Sequence, residues 1–329
     1  MGDLTSTEKA VRIVDAAIAA VKEIESLPAS APLEADAELI RSYHEAFKDG
    51  KTFSDLYGAE DLRPYFRRQS GALDFCTRIL HLKDSGQLSS FKESLRHFAD
   101  AGVSPSSPMT DYDDLDEKAK HHTRLLFEFY VASGITINSG SLAEIAGTKD
   151  QSQNNPDVEL SNCSIEALAC KLVTSKNYVT VFNRLMEGAA QIEAGSCSNG
   201  LVVLDVRHCV DQELLVPKNG DSYRTFTSEA QALEAQEQIF HEIAESINQV
   251  MTEDDATSYE NKTHRRGYLI AAQSFAIIET EHGPVPFNLN KARFVPIVLD
   301  EGTTPERLPE IFKDELNCAQ WIATTPPRP

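Results

Sequence analysis

Gly200-Leu201-Val202-Val203-Leu204-Asp205-Val206 is a run of strand length in which Asp205 is the only charged residue. A run of this kind fits a strand buried on both faces, so the sheet that holds it needs cover on each side. The residues before it show how that sheet is wired. Residues 176–194 repeat at the helical period, with Val179, Phe182, Leu185, Met186, Ala189 and Ile192 on one side and Gly195 at the end. Ahead of them, 157–160 and 165–172 read as two antiparallel strands joined by Ser161-Asn162-Cys163. Strand, helix and buried strand in this order imply a right-handed crossover in a mixed central sheet flanked by helices, an α/β (α+β) class.

The flanking sequence is more helical. Residues 5–25 carry Val11, Ile13, Val14, Ala17, Ile18, Val21 and Ile24 at helical spacing and close at Pro28. Shorter helices are expected over 35–47, 62–82 and 88–98. Pro105, Pro108 and the acidic Asp111-Tyr112-Asp113-Asp114 then mark a boundary, giving a helical region over 1–110 and a second unit over 111–329. The first reads as a packing or homo-oligomerisation module. A helix over 117–133 ends at Gly134, and Ile135-Thr136-Ile137 reads as a strand. Towards the C-terminus the pattern gives an amphipathic helix over 228–251, an acidic loop at Glu253-Asp254-Asp255, strands over 268–278 and 294–299, and a disordered Pro-rich tail over 324–329.

A formal charge of −20 argues against a free-standing nucleic-acid binder. The excess lies in the flanks, however: residues 118–210 hold 8 Lys and Arg against 9 Asp and Glu. No apolar run reaches the length of a bilayer crossing, and Met1-Gly2-Asp3-Leu4-Thr5 lacks the layout of a secretory signal, so a cytoplasmic protein away from membranes is expected. Six cysteines without CxxC spacing suit reduced thiols rather than disulfides or structural zinc.

In a strand over 165–172, Ile165, Ala167, Ala169 and Lys171 share one face, and Glu166, Leu168 and Cys170 share the other. Hydrolysis of a phosphodiester by a hard cation needs clustered carboxylates to hold the ion, and a cationic side chain to orient water or offset charge. Asp157 and Lys171 meet two of these needs. A carboxylate at position 169 would meet the third. Taken alone, Glu128 fits a solvent-facing helix residue and Asp157 the start of a strand. Lys171 is the strongest candidate, because an interior lysine is rare without a partner.

These residues, in this order, resemble the PD-(D/E)XK nuclease superfamily. Glu128, in Leu125-Leu126-Phe127-Glu128-Phe129-Tyr130, looks like the acid of its first helix; Pro156-Asp157 matches its second element, and Ala169-Cys170-Lys171 its third, with alanine at the acidic position. Gln191 looks like its helix glutamine, and 200–206 like its next core strand. The resemblance covers roughly residues 118–210 and implies a restriction-endonuclease-like core. It also implies an Mg²⁺- or Mn²⁺-dependent endonuclease acting on nucleic acid, DNA ahead of RNA. Asp157, Glu128 and the backbone of Cys170 would surround the metal, Lys171 would position water, and Gln191 would support them. We read Ala169 as standing in for a glutamate, in a form that is inactive as written. The competing readings are a naturally degenerate, non-cleaving relative and a migrated acid, Glu166 or Glu159. Bacterial antiphage defence complexes join such domains to a helicase or sensor subunit, which supplies an expected partner by analogy. Arg184, seven residues before Gln191, and the basic Lys262-Thr263-His264-Arg265-Arg266 are the candidate nucleic-acid contacts, with surface salt bridges as the competing reading. His121-His122 and His208-Cys209 read as surface and core features.

Overall fold

The computed structural model describes residues 6–24, 27–51, 63–105, 117–145, 156–161, 163–195, 197, 199–210, 218–219, 222–223, 226–280, 283–297 and 305–324. Helices α1 (Ser6–Glu23), α2 (Ala31–Lys48), α3 (Arg63–Asp84), α4 (Lys92–Ala101) and α5 (Glu117–Ser139) precede strands β1 (Ala143–Ile145), β2 (Val158–Leu160) and β3 (Ala167–Leu172). Helix α6 (Tyr178–Ala194) leads to β4 (Gly200–Asp205) and the small pair β5 (Lys218–Asn219) and β6 (Ser222–Tyr223). Then come α7 (Glu229–Asn248), α8 (Glu253–Thr263), the hairpin β7 (Gly267–Thr280) and β8 (Gly283–Pro296), and α9 (Leu308–Ile311) and α10 (Lys313–Ala323).

Six strands form one mixed sheet in the order β1-β2-β3-β4-β7-β8. β1 and β3 each run antiparallel to β2 between them, β3, β4 and β7 run parallel, and β8 returns antiparallel to β7. The alternation of side chains divides the molecule into two cores. Leu168, Cys170, Leu201, Val203, Leu269 and Ala271 pack with α1 to α5 and α10, whereas Ala169, Val202, Leu204, Ile270 and Ala272 pack with α6, α7 and α8. All six residues of β4 are buried, as a strand covered on both faces requires. Ile165 lies ahead of β3 and joins the first core, so the face expected for it is not the one it takes.

The N-terminal helices share an apolar cluster with the sheet and form one of its covering layers. A buried polar knot fastens this layer. Asp74 Oδ2 on α3 accepts from Arg78 Nε (3.0 Å) and from Gln273 Nε2 on β7 (2.8 Å), while Oδ1 accepts from Asn290 Nδ2 on β8 (3.1 Å). Arg78 Nη1 also donates to the Tyr130 carbonyl of α5 (3.2 Å). The acidic stretch chosen as a boundary falls outside the described residues.

Three local expectations are corrected. Helix α5 runs through Gly134 and absorbs Ile135-Thr136-Ile137. A Cβ at Gly134 would stand 3.1 Å from the Trp321 carbonyl oxygen and 3.4 Å from Ile322 Cα, so this glycine lets α10 approach rather than ending the helix. Burial of Ile135 against that contact outweighs the weak helix propensity of a β-branched residue. The left-handed glycine is Gly140, with φ +73°. Glu253-Asp254-Asp255 is the first turn of α8 and not a loop. Thr252 and Asp255 form a reciprocal capping box there, and three acids sit at the positive end of the helix dipole. Finally, β8 begins at Gly283, well before residue 294. Pro284 and Pro286 disguise it, yet an edge strand tolerates proline because every second N–H there points away from its one neighbour and has no ladder partner to lose. Residues 298–299 and 325–329 fall outside the described residues.

Candidate active site

Asp157 stands just ahead of β2. Its N–H donates to the Leu168 carbonyl (3.0 Å), and its carboxylate Oδ2 accepts from the Cys170 N–H (2.7 Å), so it brackets position 169 from both sides. Lys171, two residues on, emerges on the α6 side of the sheet. Its Nζ lies 4.0 Å from Asp157 Oδ2 and donates to Gln191 Oε1, while Gln191 Nε2 donates to Asp157 Oδ1 (3.2 Å). Asp157, Lys171 and Gln191 therefore close one polar triangle beside the Ala169 methyl. Its charged members are largely buried, at 10 % and 18 % side-chain exposure.

The sequence of α6 explains how Gln191 arrives there. Asn177 caps the helix by accepting from the Val179 and Thr180 N–H groups, and an apolar face with Val181, Leu185, Ala189 and Ile192 seats it on the sheet. Two glycines allow the approach. A Cβ at Gly188 would lie 2.6 Å from Val202 Cγ1 and 3.3 Å from Lys171 Cγ, and one at Gly195 would lie 2.7 Å from Pro156 Cδ. The Pro156-Asp157 step is thus pinned under the end of the helix that carries Gln191.

Glu128 lies on α5, which packs on β2 and β3 from the face opposite α6. It is 1 % exposed and its Oε1 accepts from Arg124 Nε at 3.2 Å. Burial, and then the negative charge of Asp157, push its carboxyl up to about 8, against the pull of Arg124 and Lys171. The folded value of Glu128 lies above the ordinary carboxylate value, so its contribution to stability is full in acid and is lost as pH rises from about 4.5 to about 8. Glu128→Gln, which cannot ionise, is expected to gain thermal stability relative to the parent as pH rises through that window. Melting curves taken from pH 5 to pH 9 with a constant difference between the two proteins would contradict this.

Cys170 contributes its backbone; burial pushes its thiol well above the usual range. The donor set is too poor for a divalent cation. Asp157 is the one carboxylate of the triangle and both its oxygens already accept hydrogen bonds, burial disfavours the charged form of Glu128 that a metal would need, and Ala169 offers no donor. Among the described residues, no group of three His, Cys, Asp or Glu side chains converges to hold a metal. The residues present, with alanine at 169, do not fit Mg²⁺ or Mn²⁺. Of the acids considered as migrated ligands, Glu166 precedes β3, and Glu159 pairs across from Ala167, one step farther than position 169 from Lys171.

No family model, curated protein or solved structure matches this chain. Its chemistry therefore has to be read from the site alone.

The nominated nucleic-acid contacts are each engaged by a carboxylate. Arg184 Nη1 pairs with Glu187 (2.7 Å), Lys262 with Glu193, Arg265 with Glu315 (2.9 Å), and Arg266 with Glu260 (2.8 Å). Arg265 also donates to Asn199 Oδ1 (2.9 Å) and to the Ser164 carbonyl, clasping the β2–β3 connection to α10. The basic cluster is thus a set of ties between elements. His122 is buried edge-to-face against His97, with ring centroids 5.8 Å apart; the side chain of His121 falls outside the described residues.

Two residues near the site escaped the sequence reading. Arg124 was legible as the i−4 partner of Glu128 on one helix face. Arg207 was not. It is fully buried beyond β4, paired to Asp205 Oδ2 at 2.6 Å and stacked over the Phe127 ring at 5.0 Å, and only the fold brings α5 to it.

Proposed function

We propose that this chain is a nuclease of the restriction-endonuclease-like kind whose hydrolytic site is complete except at position 169. The reading is supported by the order of elements, a helix with a buried glutamate, three antiparallel strands, a helix with a glutamine and a parallel strand. The observation that carries it is the bracketing of Ala169 by Asp157, with Lys171 and Gln191 completing the triangle. In that arrangement Lys171 orients a water or offsets charge at the phosphate, and Gln191 fixes Lys171 and Asp157 relative to one another. An acid beside Asp157 would let the pair hold Mg²⁺ or Mn²⁺, which supplies the polarisation of the phosphate. Glu128, buried on α5 and held by Arg124, supports them. DNA is the proposed substrate, delivered by a helicase or sensor subunit.

A second reading is a non-catalytic module that keeps the fold to bind nucleic acid or assemble a complex. The self-satisfied triangle and the poor donor set favour it for the chain as written. Incubating the Ala169→Glu protein with plasmid and single-stranded DNA in Mg²⁺ separates the two. Cleavage supports the enzyme; a variant that binds DNA yet stays inert, alone and with its native partners, leaves the module.

A further inference from the structure

We infer that Arg124 is the phosphate-contacting cation of this site: anchored through Nε on Glu128, it presents its terminal guanidinium edge to the backbone of a bound nucleic acid. The inference rests on the nuclease reading and adds the substrate contact that the basic sequence cluster does not provide.

Arg124 is 51 % exposed and Glu128 beneath it is 2 % exposed, so the ion pair has one foot in the protein and one in solvent. Nε is the atom in contact, at 3.2 Å from Oε1. The two terminal amino groups have no partner among the described residues. This geometry suits an arginine that recognises phosphate, because a guanidinium held on one edge keeps a second edge for a bidentate contact. The anchor also lowers the side-chain entropy lost when the ligand arrives. Position supports the same role. Arg124 lies one turn before Glu128 on α5, the helix that packs on β2 and β3 and shares a core with Leu168 and Cys170, whose backbones hold Asp157. Lys171 is turned inward to Gln191, and Arg184, Lys262, Arg265 and Arg266 are each paired with a carboxylate. Arg124 is thus the exposed, incompletely used cation at this place, in a chain whose overall charge of −20 makes each such cation count.

The test is binding of labelled single-stranded and duplex DNA, followed by fluorescence anisotropy over a series of salt concentrations. Parent, Arg124→Ala and Arg41→Ala are compared, Arg41 being an exposed arginine of α2 already paired to Asp15. Arg124→Ala is expected to weaken binding about tenfold and to flatten the plot of log affinity against log salt by about one. Arg41→Ala should match the parent. The double variant Arg124→Ala/Glu128→Gln removes both members of the pair, leaves no buried charge without its partner, and should show the same loss. If Arg124→Ala and the double variant bind DNA within twofold of the parent, with an unchanged salt slope, the inference fails while the nuclease reading stands. A parent that binds no DNA at low salt sinks both.

Discussion

Ala169→Glu is expected to gain Mg²⁺-dependent cleavage of DNA at least about a hundredfold above the parent chain, a gain of the size associated with completing a metal's ligand set. The expectation follows from where position 169 lies. Its neighbours on either side, Leu168 and Cys170, are both bonded to Asp157 through their backbones, so a carboxylate there would stand beside that of Asp157. Two ionised groups in one place repel each other unless a cation joins them, and this is the physical reason a site of this kind loads metal. Burial sharpens the effect, because Ala169 is fully enclosed. In the absence of metal the variant should be less stable than the parent, and millimolar Mg²⁺ should restore its melting temperature. Lys171→Met in the Ala169→Glu background should abolish cleavage while leaving the metal-induced rise in melting temperature. A variant that folds, takes up metal and binds DNA without cutting it would sink the enzymatic reading.

Asp74→Ala is expected to cost about 3–5 kcal/mol of stability, the range for removing one partner of a buried ion pair. Asp74 is the common acceptor for Arg78, Gln273 and Asn290, so its loss strands a buried cation, a buried amide and a half-buried amide together. Replacing Asp74 and Arg78 together with leucine and methionine should cost far less, since no charge is then left inside. Urea unfolding checks both. Because α3, β7 and β8 meet at this carboxylate, α5 joins them through Arg78, and all share one apolar core, a single transition with an unchanged denaturant slope is expected for Asp74→Ala. A loss below about 1 kcal/mol would show that the knot is not what fastens the helical layer to the sheet.

The parts of this fold that could be read from the chain are those in which one local pattern decides the outcome. The unbroken apolar run of β4 and the 3.6-residue period of α6 fix a strand covered on both faces and a crossover helix, and both are present. Lys171 was legible from strand alternation, while Asp157 and Gln191 came from the resemblance to the nuclease pattern, and the three meet. Features decided by distant contacts were not legible. Gly134 carries the signature of a helix end, but its role is set by α10, nearly two hundred residues later. Pro284 and Pro286 look like loop residues until β8 is known to lie at the edge of the sheet. The basic run 262–266 reads as a phosphate-binding patch because sequence shows its cations and hides their partners, which come from α6, α8 and α10. Arg124 is the converse, a single arginine that sequence shows only as the i−4 neighbour of Glu128 and that gains meaning from the burial of Glu128 beneath it.

The central claim is that a divalent-cation site lacks one carboxylate, at position 169. Calorimetric titration of Mg²⁺ and of Mn²⁺ into the parent and into Ala169→Glu tests it most directly. Saturable binding by the variant, lost again on Asp157→Asn, beside no saturable binding by the parent at the same concentrations, is the predicted result. Equal heats from parent and variant, or binding that survives Asp157→Asn, would contradict it.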